Sequence, residues 1–152
     1  MGTELILKLL SSQIPQYWKL IQHCAVKADQ VSSVQAYSNE LLHALLSDKS
    51  RCFVRVDKES REILTMWTVR ILVNKITGKG DCHVQWLYSF KTISPTFVEQ
   101  FAEFLKSFAR QEKCDYISFE SANKRVWEIA KMANCKEQSR RFVYDLGGHD
   151  GK

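Results

Sequence analysis

Glycine and proline are scarce in this sequence, which has 6 Gly and 2 Pro among 152 residues. Collagen-like and low-complexity disordered chains are rich in one or both, so these classes are excluded. No apolar run approaches the roughly 20 residues of a membrane-spanning helix. The N-terminus lacks the basic, apolar and small-residue order of a secretory signal. We therefore expect one globular, cytoplasmic domain over residues 1–152, with a frayed tail over 147–152.

The cysteines lack the spacing of a metal site. Consecutive cysteines lie 21 to 32 residues apart, whereas structural zinc sites favour pairs separated by two residues. An odd number of cysteines without an export signal is typical of reduced thiols that are buried as small apolar side chains. No histidine stands in a local motif with a cysteine, so we expect neither a metal site nor a nucleophilic thiol.

Basic residues are concentrated in one segment. Residues 49–80 hold eight Lys and Arg against three acids, which equals the whole formal charge of +5. Such a segment can attract the phosphates of nucleic acid or an acidic partner. An ordinary solvated surface is the alternative, and the lack of a Gly-rich arm or a stacking motif favours it. The candidate residues are Arg51, Arg55, Lys58, Arg61, Arg70, Lys75 and Lys79.

A strand and two helices are predicted at the start of the chain. Residues 5–10 are mostly apolar, and Pro15 soon after them favours the first turn of a helix. Ser32 and Gln35 have the spacing of a capping box, which indicates the start of a second helix. The apolar stripes of the two helices are Tyr17, Leu20, Ile21 and Cys24, then Val34, Tyr37, Leu41 and Leu45.

Three antiparallel strands are predicted next. Residues 51–56 and 63–73 are rich in β-branched and aromatic side chains and are joined by a polar turn. Both faces of the second run are mostly apolar, so we expect a sheet that is covered on two sides. Residues 82–91 predict the fourth strand. Its alternation places Val84, Trp86, Tyr88 and Phe90 on one face and His83, Gln85, Leu87 and Ser89 on the other.

The second half alternates helices and strands. Thr96 and Glu99 repeat the capping-box spacing and begin the clearest amphipathic helix. Residues 114–121 predict a strand, 123–133 a helix and 141–146 a last strand. The order indicates an α/β (α+β) fold with a mixed, mostly antiparallel sheet and about four helices.

This order and the local sequence from Cys82 to Leu146 resemble the GNAT superfamily of acetyl-CoA-dependent N-acetyltransferases. Asn123 to Cys135 aligns without gaps on a family pattern that begins Asn-x-x-Ala and ends Tyr-x-x-x-Gly-Phe. The resemblance implies a GNAT-like fold and, for an active member, acetyl-CoA as cofactor.

The cofactor loop departs from the family pattern. The family's Gln/Arg-x-x-Gly-x-Gly/Ala falls on residues 93–98, where Ile93 replaces the basic residue and Thr96 and Val98 replace the glycines. Glycines there let the amides of a helix N-terminus approach the cofactor pyrophosphate. Pro95 removes one amide, and Val98 is expected to add bulk. The positions that the resemblance leaves for binding acetyl-CoA are Ser94, Thr96, Phe97, Val98 and Asn123, although helix capping also explains Ser94, Thr96 and Asn123.

Catalytic groups implied by the resemblance are also few. The tyrosine that protonates the leaving thiolate in many members falls on Ala130, which has no proton to donate. For the base that accepts a proton from the amine, the fourth strand offers His83 and no acid, and the fifth strand ends in Glu120. A structural histidine and a surface charge are the alternatives for these two residues.

Three functions remain open. The first is a catalytically impaired protein that serves as a binding or structural module without a cofactor; acetylase-like proteins of this size occur in tailed-phage genomes, where some belong to the virion. The second is an active N-acetyltransferase with an atypical loop, whose amine lies near the first two helices and the splay between the fourth and fifth strands. The third is a nucleic-acid or acidic-partner binder that uses residues 49–80.

Tryptophans indicate where a protein partner would bind. Trp67 and Trp86 lie in predicted strands and are expected in the core. Trp18 and Trp127 lie beside helical stripes and are expected to be partly exposed, and an exposed tryptophan can anchor a protein partner.

Overall fold

The computed structural model describes residues 4–29, 33–119, 124–132, 134–136, 142, 144 and 146. These residues form five strands and four α-helices, with a short 3-10 turn before the first helix. The strands are β1 (Glu4–Leu9), β2 (Ser50–Asp57), β3 (Ile63–Val73), β4 (Gly80–Ser89) and β5 (Tyr116–Phe119). The helices are α1 (Ile14–Asp29), α2 (Val34–Leu46), α3 (Pro95–Gln111) and α4 (Lys124–Met132).

The sheet follows the order of the chain, β1-β2-β3-β4-β5. Strands β1 to β4 are antiparallel to their neighbours, whereas β5 runs parallel to β4 because α3 carries the chain back across the sheet. The predicted fold class, with its mostly antiparallel sheet, is therefore confirmed. The predicted last strand, 141–146, lies largely outside the described residues, as does the predicted tail.

Helices cover both faces of the sheet. Helices α1 and α2 pack on one face, where Ile21 and Leu41 contact a cluster that includes Met66 of β3. Helix α3 packs on the other face, where Phe108 contacts a cluster that includes Trp67. Neighbouring residues of β3 thus point to opposite faces, and both faces are buried, as the apolar alternation of this strand predicts.

A β-bulge at Gln85 interrupts the alternation of β4. Thr68 lies opposite Trp86 and Val69 lies opposite Val84, which leaves Gln85 as the extra residue. Val84 therefore packs on the α3 face, while Trp86 packs on the α1 and α2 face. The predicted single face shared by Val84 and Trp86 is wrong, because an extra residue shifts the period of two by one.

Several boundaries differ from the predictions by one or two residues, as at β5, which begins at Tyr116 and not at Cys114. Ser94, not Thr96, caps α3, since its Oγ accepts a hydrogen bond from the Phe97 amide at 3.1 Å. Ser33 is the cap residue of α2 and makes no side-chain capping bond; the predicted cap, Ser32, lies outside the described residues. Strand β4 begins at Gly80, two positions before the predicted start, and this brings Asp81 into the strand.

Candidate functional site

Strands β4 and β5 pair over a short stretch. Residues 81–84 of β4 lie opposite Tyr116–Phe119 of β5. Strand β4 continues to Ser89, and within the described part of the chain no strand pairs with its outer edge from Gln85 onward. We call residues 85–89 the open edge of β4. An extended ligand can hydrogen-bond to such an edge as an added strand does.

The N-terminus of α3 follows the open edge directly. Pro95 is the first helical residue and has no N–H, and the Phe97 amide is already bound by the Ser94 hydroxyl. No hydrogen bond found among the described residues uses the amides of Ser94 or Thr96. A helix N-terminus attracts anions through its free amides and its dipole. The N-terminus of α3 thus keeps two free amide donors, those of Ser94 and Thr96.

The side chains of Phe97 and Val98 face the core. They are 2% and 3% exposed, and Phe97 stacks on Phe101 with ring centroids 5.5 Å apart. The expected obstruction of a ligand by Val98 is therefore wrong, because its side chain points inward. Of the departures in this loop, Ile93, Pro95 and Thr96 remain as changes that an approaching anion meets.

A polar chain of three side chains crosses the β4–β5 pair. Ser118 Oγ lies 2.7 Å from both carboxylate oxygens of Asp81, and His83 Nδ1 lies 2.9 Å from Ser118 Oγ. His83 lies directly opposite Ser118 in the parallel register. All three residues are half-buried, where charges are screened less than on an open surface.

The start of β4 fixes this polar chain in place. The Gly80 amide donates to Asp115 Oδ2 at 2.8 Å, and the Asp115 amide donates to the Gly80 carbonyl at 2.8 Å. A Cβ at Gly80 would meet Cys114 Cα at 3.3 Å, so a larger residue would require the backbone before β5 to shift by a few tenths of an ångström. The two hydrogen bonds hold the segment before β5 against the start of β4, next to the pairing that places Ser118 beside Asp81.

The predicted site residues are brought together only in part. His83 lies at the β4–β5 pair, and Ser94 and Thr96 lie at the start of α3, beyond the open edge. Glu120 and Asn123 lie outside the described residues. Ala130, which stands where the resemblance places the tyrosine, is half-buried in α4.

The predicted basic surface is divided. Arg55 is 6% exposed, and its Nη1 donates to Glu4 Oε1 at 3.0 Å, so its prediction as a surface or phosphate-binding residue is wrong. Arg51 pairs with Glu112 at 2.9 Å and Arg70 with Glu40 at 3.2 Å.

The four remaining basic residues are exposed, in pairs at opposite ends of β3. These pairs are Lys58 with Arg61 and Lys75 with Lys79. Because β3 spans 11 residues, the pairs lie about 35 Å apart. The segment therefore presents two small basic clusters, and binding of nucleic acid stays a prediction for these clusters alone.

Tryptophan and cysteine burial largely follows the predictions. Trp67 and Trp86 are buried, and Trp127 is 49% exposed. The thiols of Cys24, Cys52 and Cys82 are buried, whereas Cys135 is exposed, contrary to the expectation of buried thiols. No group of three or more His, Cys, Asp and Glu in the described residues is placed to hold a metal ion.

Sequence reasoning missed Asp81 and Ser118. A signal for Asp81 was available, since it lies two residues before His83 and shares its face if the strand begins early. Ser118 had no such signal, because its contact with His83 depends on the register of a parallel pair that is distant in sequence.

Comparison with solved structures matches the chain to acetyltransferases along nearly its whole length. A GNAT family acetyltransferase from Staphylococcus aureus has a TM-score of 0.65 at 10% identity, covering 95% of this chain and 99% of its own. The aminoglycoside N-acetyltransferase AAC(6')-Iy in complex with CoA scores 0.69 at 11% identity, with 95% of each chain covered. A ribosomal-protein-alanine N-acetyltransferase from Brucella melitensis biovar Abortus 2308 scores 0.66 at 12% identity, covering 94% and 99%.

No protein-family model matches the chain, and no curated protein matches its sequence. The structural likeness therefore shows the fold: the chain has a GNAT-like fold, as the resemblance of its second half implied. No helix in the described residues is long and apolar enough to cross a membrane.

Proposed function

We propose that this chain binds an acyl-CoA along the open edge of β4 and transfers the acyl group to a primary amine. The Gln85 bulge carries the proposal, because it lies where the β4–β5 pairing ends and where an unpaired edge leads to the N-terminus of α3. Structures of the same fold that are named as N-acetyltransferases, one of them in complex with CoA, support this chemistry.

The residues that would hold the acyl-CoA come from two adjacent segments. The backbone of the open edge would pair with amide groups of the ligand, and the free amides of Ser94 and Thr96 would bind its phosphates. The ligand supplies an activated thioester. Because Pro95 offers no amide and Ile93 carries no charge, we expect weak binding, with a Kd of roughly 0.1–1 mM.

A binding module that transfers no acyl group is the second candidate. The closed start of α3 favours it, since the Ser94 hydroxyl occupies the Phe97 amide. Ala130, at the position where the resemblance places the tyrosine acid, favours it too. In this form the chain takes no cofactor and binds a protein partner; association with a phage or virion stays a prediction.

Calorimetric titration with acetyl-CoA and with CoA separates the two candidates. We expect the wild-type chain to bind both ligands, and Pro95→Ala to bind them more tightly, since it restores one amide at the start of α3. Thr92→Ala is the matched control, because Thr92 precedes the helix and keeps its own amide.

Acyl transfer is then measured as release of CoA with three amines: a peptide with an N-terminal alanine, an aminoglycoside and spermidine. Turnover with any of these supports the first candidate. No binding of either ligand at up to roughly millimolar concentration, by both the wild type and Pro95→Ala, would overturn the first candidate and leave the binding module.

A further inference from the structure

We propose that His83 Nε2 accepts the proton that the attacking amine loses, and that Ser118 and Asp81 are positioning residues that keep Nε2 unprotonated. This inference rests on the proposed acyl transfer and names the base for that reaction. We call the hydrogen-bonded series Asp81–Ser118–His83 the His83 relay.

The donors and acceptors of the relay fix the tautomer of His83. A carboxylate only accepts hydrogen bonds, so the single proton of the Ser118 hydroxyl points to Asp81, whose two oxygens lie 2.7 Å away. Ser118 Oγ then has only lone pairs to offer His83 Nδ1 at 2.9 Å. Nδ1 must therefore carry the proton of the neutral ring, and Nε2 is left with a free lone pair.

The surroundings of His83 leave Nε2 available as a base. No hydrogen bond to Nε2 is found among the described residues. Arg70 lies opposite His83 on β3, but its guanidinium pairs with Glu40 at 3.2 Å and donates to Ser50 Oγ at 3.2 Å. The guanidinium of Arg70 is thus engaged by Glu40 and Ser50 and makes no hydrogen bond to the ring of His83.

The relay lies beside the proposed acyl site. His83 precedes the Gln85 bulge by two residues along β4, a distance of about 7 Å. Its partner Ser118 lies on β5, one residue before the end of the β4–β5 pairing at Phe119. A base at this place lies close to the start of the open edge of β4, where a bound thioester would meet an amine.

The proton balance of the step is complete with the two substrates. The amine nitrogen forms a bond to the acyl carbon, the C–S bond breaks, and its electron pair leaves with the CoA sulfur as a thiolate. The amine proton goes to His83 Nε2 and is then returned through solvent to the thiolate. The hydrogen bond from Nδ1 to Ser118 stabilises the imidazolium between these two transfers.

Nitrogen NMR of the histidine rings tests the tautomer without any ligand. At about pH 8.5, where an ordinary imidazole is neutral, we expect His83 in the Nδ1–H form. Loss of one signal set in His83→Gln assigns the ring, and His43→Gln, at an exposed position of α2, is the control that leaves the His83 signals unchanged.

Asp81→Asn keeps the shape of the relay and is expected to change its polarity. An amide NH₂ at position 81 can donate to Ser118 Oγ and turn the serine proton toward His83, which favours the Nε2–H form. Ser118→Ala is expected to give a mixture of tautomers, while Ser118→Thr keeps the hydroxyl and the Nδ1–H form. An Nε2–H ring in the wild type would overturn the relay, whatever the result of acetyl-CoA titration.

Kinetics then tests the role of the base. We expect His83→Gln to bind acetyl-CoA with the wild-type Kd and to release CoA at least about 100-fold more slowly, the usual contribution of a general base. Ser118→Ala and Asp81→Asn should lose activity in the same direction, and Ser118→Thr should restore it. Unchanged turnover in His83→Gln overturns this proposal alone, whereas absent acetyl-CoA binding in the wild type overturns the proposed function as well.

Discussion

The guanidinium of Arg55 lies 4.1 Å from the ring centroid of Phe97, which joins β2 to the first turn of α3. The same side chain donates to Glu4 Oε1 at 3.0 Å and from Nε to Thr65 Oγ1 at 3.2 Å. One buried cation thus ties three strands to the helix start that the proposed function uses.

Arg55→Met should lower the free energy of unfolding by about 1–3 kcal/mol, because it leaves Glu4 without its partner and removes the contact with Phe97. Urea denaturation measures the loss. Lys58→Met, in the exposed turn of the same hairpin, is the matched control and should change stability by less than about 0.5 kcal/mol. Equal effects of the two substitutions would contradict the structural role of Arg55.

The sequence allowed the elements and their order to be predicted, because the period of 3.6 in α3 and of two in β3 is a local property. The burial of Arg55 was not predictable in this way. It depends on Glu4, 51 positions away, and on a helix from the second half of the chain. A lone arginine in a strand looks the same whether it faces water or a partner that long-range pairing supplies.

The site was predictable to a smaller extent for the same reason. His83 and Ser94 were identified as candidates, but the Gln85 bulge arises from the register between β3 and β4. The alternation of side chains in the sequence does not reveal where a bulge interrupts the strand. The link between His83 and Ser118 likewise exists only after α3 has returned the chain to the sheet.

Buried thiols should make the protein less stable above pH 9. Burial raises the pKa of Cys24 from 9.0 to about 11, and burial, with Cys114 and Asp81 nearby, raises the pKa of Cys82 to about 12. Between pH 9.0 and these raised pKa values, the two thiols are ionised in the unfolded chain and protonated in the folded chain. Stability is therefore full below pH 9 and falls as pH rises, by about 1.4 kcal/mol per pH unit for each thiol.

Denaturation of Cys24→Ala tests this dependence. Its curve of stability against pH should run parallel to the wild-type curve below about pH 8 and fall less steeply between pH 9 and about 11, since one raised thiol is missing. Parallel curves throughout this range would show that Cys24 is accessible to ionisation in the folded state.

Lys113, two residues after the end of α3, has a backbone conformation that favours glycine. Its φ is 60°, and the Cys114 amide bonds to the Ala109 carbonyl at 2.8 Å while the Lys113 amide bonds to that of Arg110 at 3.0 Å. Lys113→Gly should therefore raise the free energy of unfolding by about 0.5–1 kcal/mol.

Lys106→Gly is the matched control for Lys113→Gly, because Lys106 is exposed within the same helix. Here glycine should lower stability by about 1 kcal/mol. Thermal or urea denaturation measures both variants. Loss of stability in both would mean that glycine's freedom in the unfolded chain outweighs the strain at Lys113.

Two substitutions of Ser94 should separate its capping role from ligand binding. Ser94→Ala loses the bond to the Phe97 amide and should cost about 1 kcal/mol of stability. It should bind acetyl-CoA at least as well as the wild type, because the Phe97 amide becomes free for a phosphate.

Ser94→Asp keeps a capping acceptor and should retain stability within about 0.5 kcal/mol. Its carboxylate, however, occupies the anion site and repels a phosphate. Calorimetric titration should show that Ser94→Asp binds acetyl-CoA with a Kd at least about tenfold higher than the wild type. One lost phosphate contact and one new repulsion amount to roughly 1.4 kcal/mol or more. The order of the variants in stability is thus opposite to their order in binding. If Ser94→Asp binds acetyl-CoA as the wild type does, the phosphates do not lie at the start of α3, and the ligand must be held by the open edge of β4 alone.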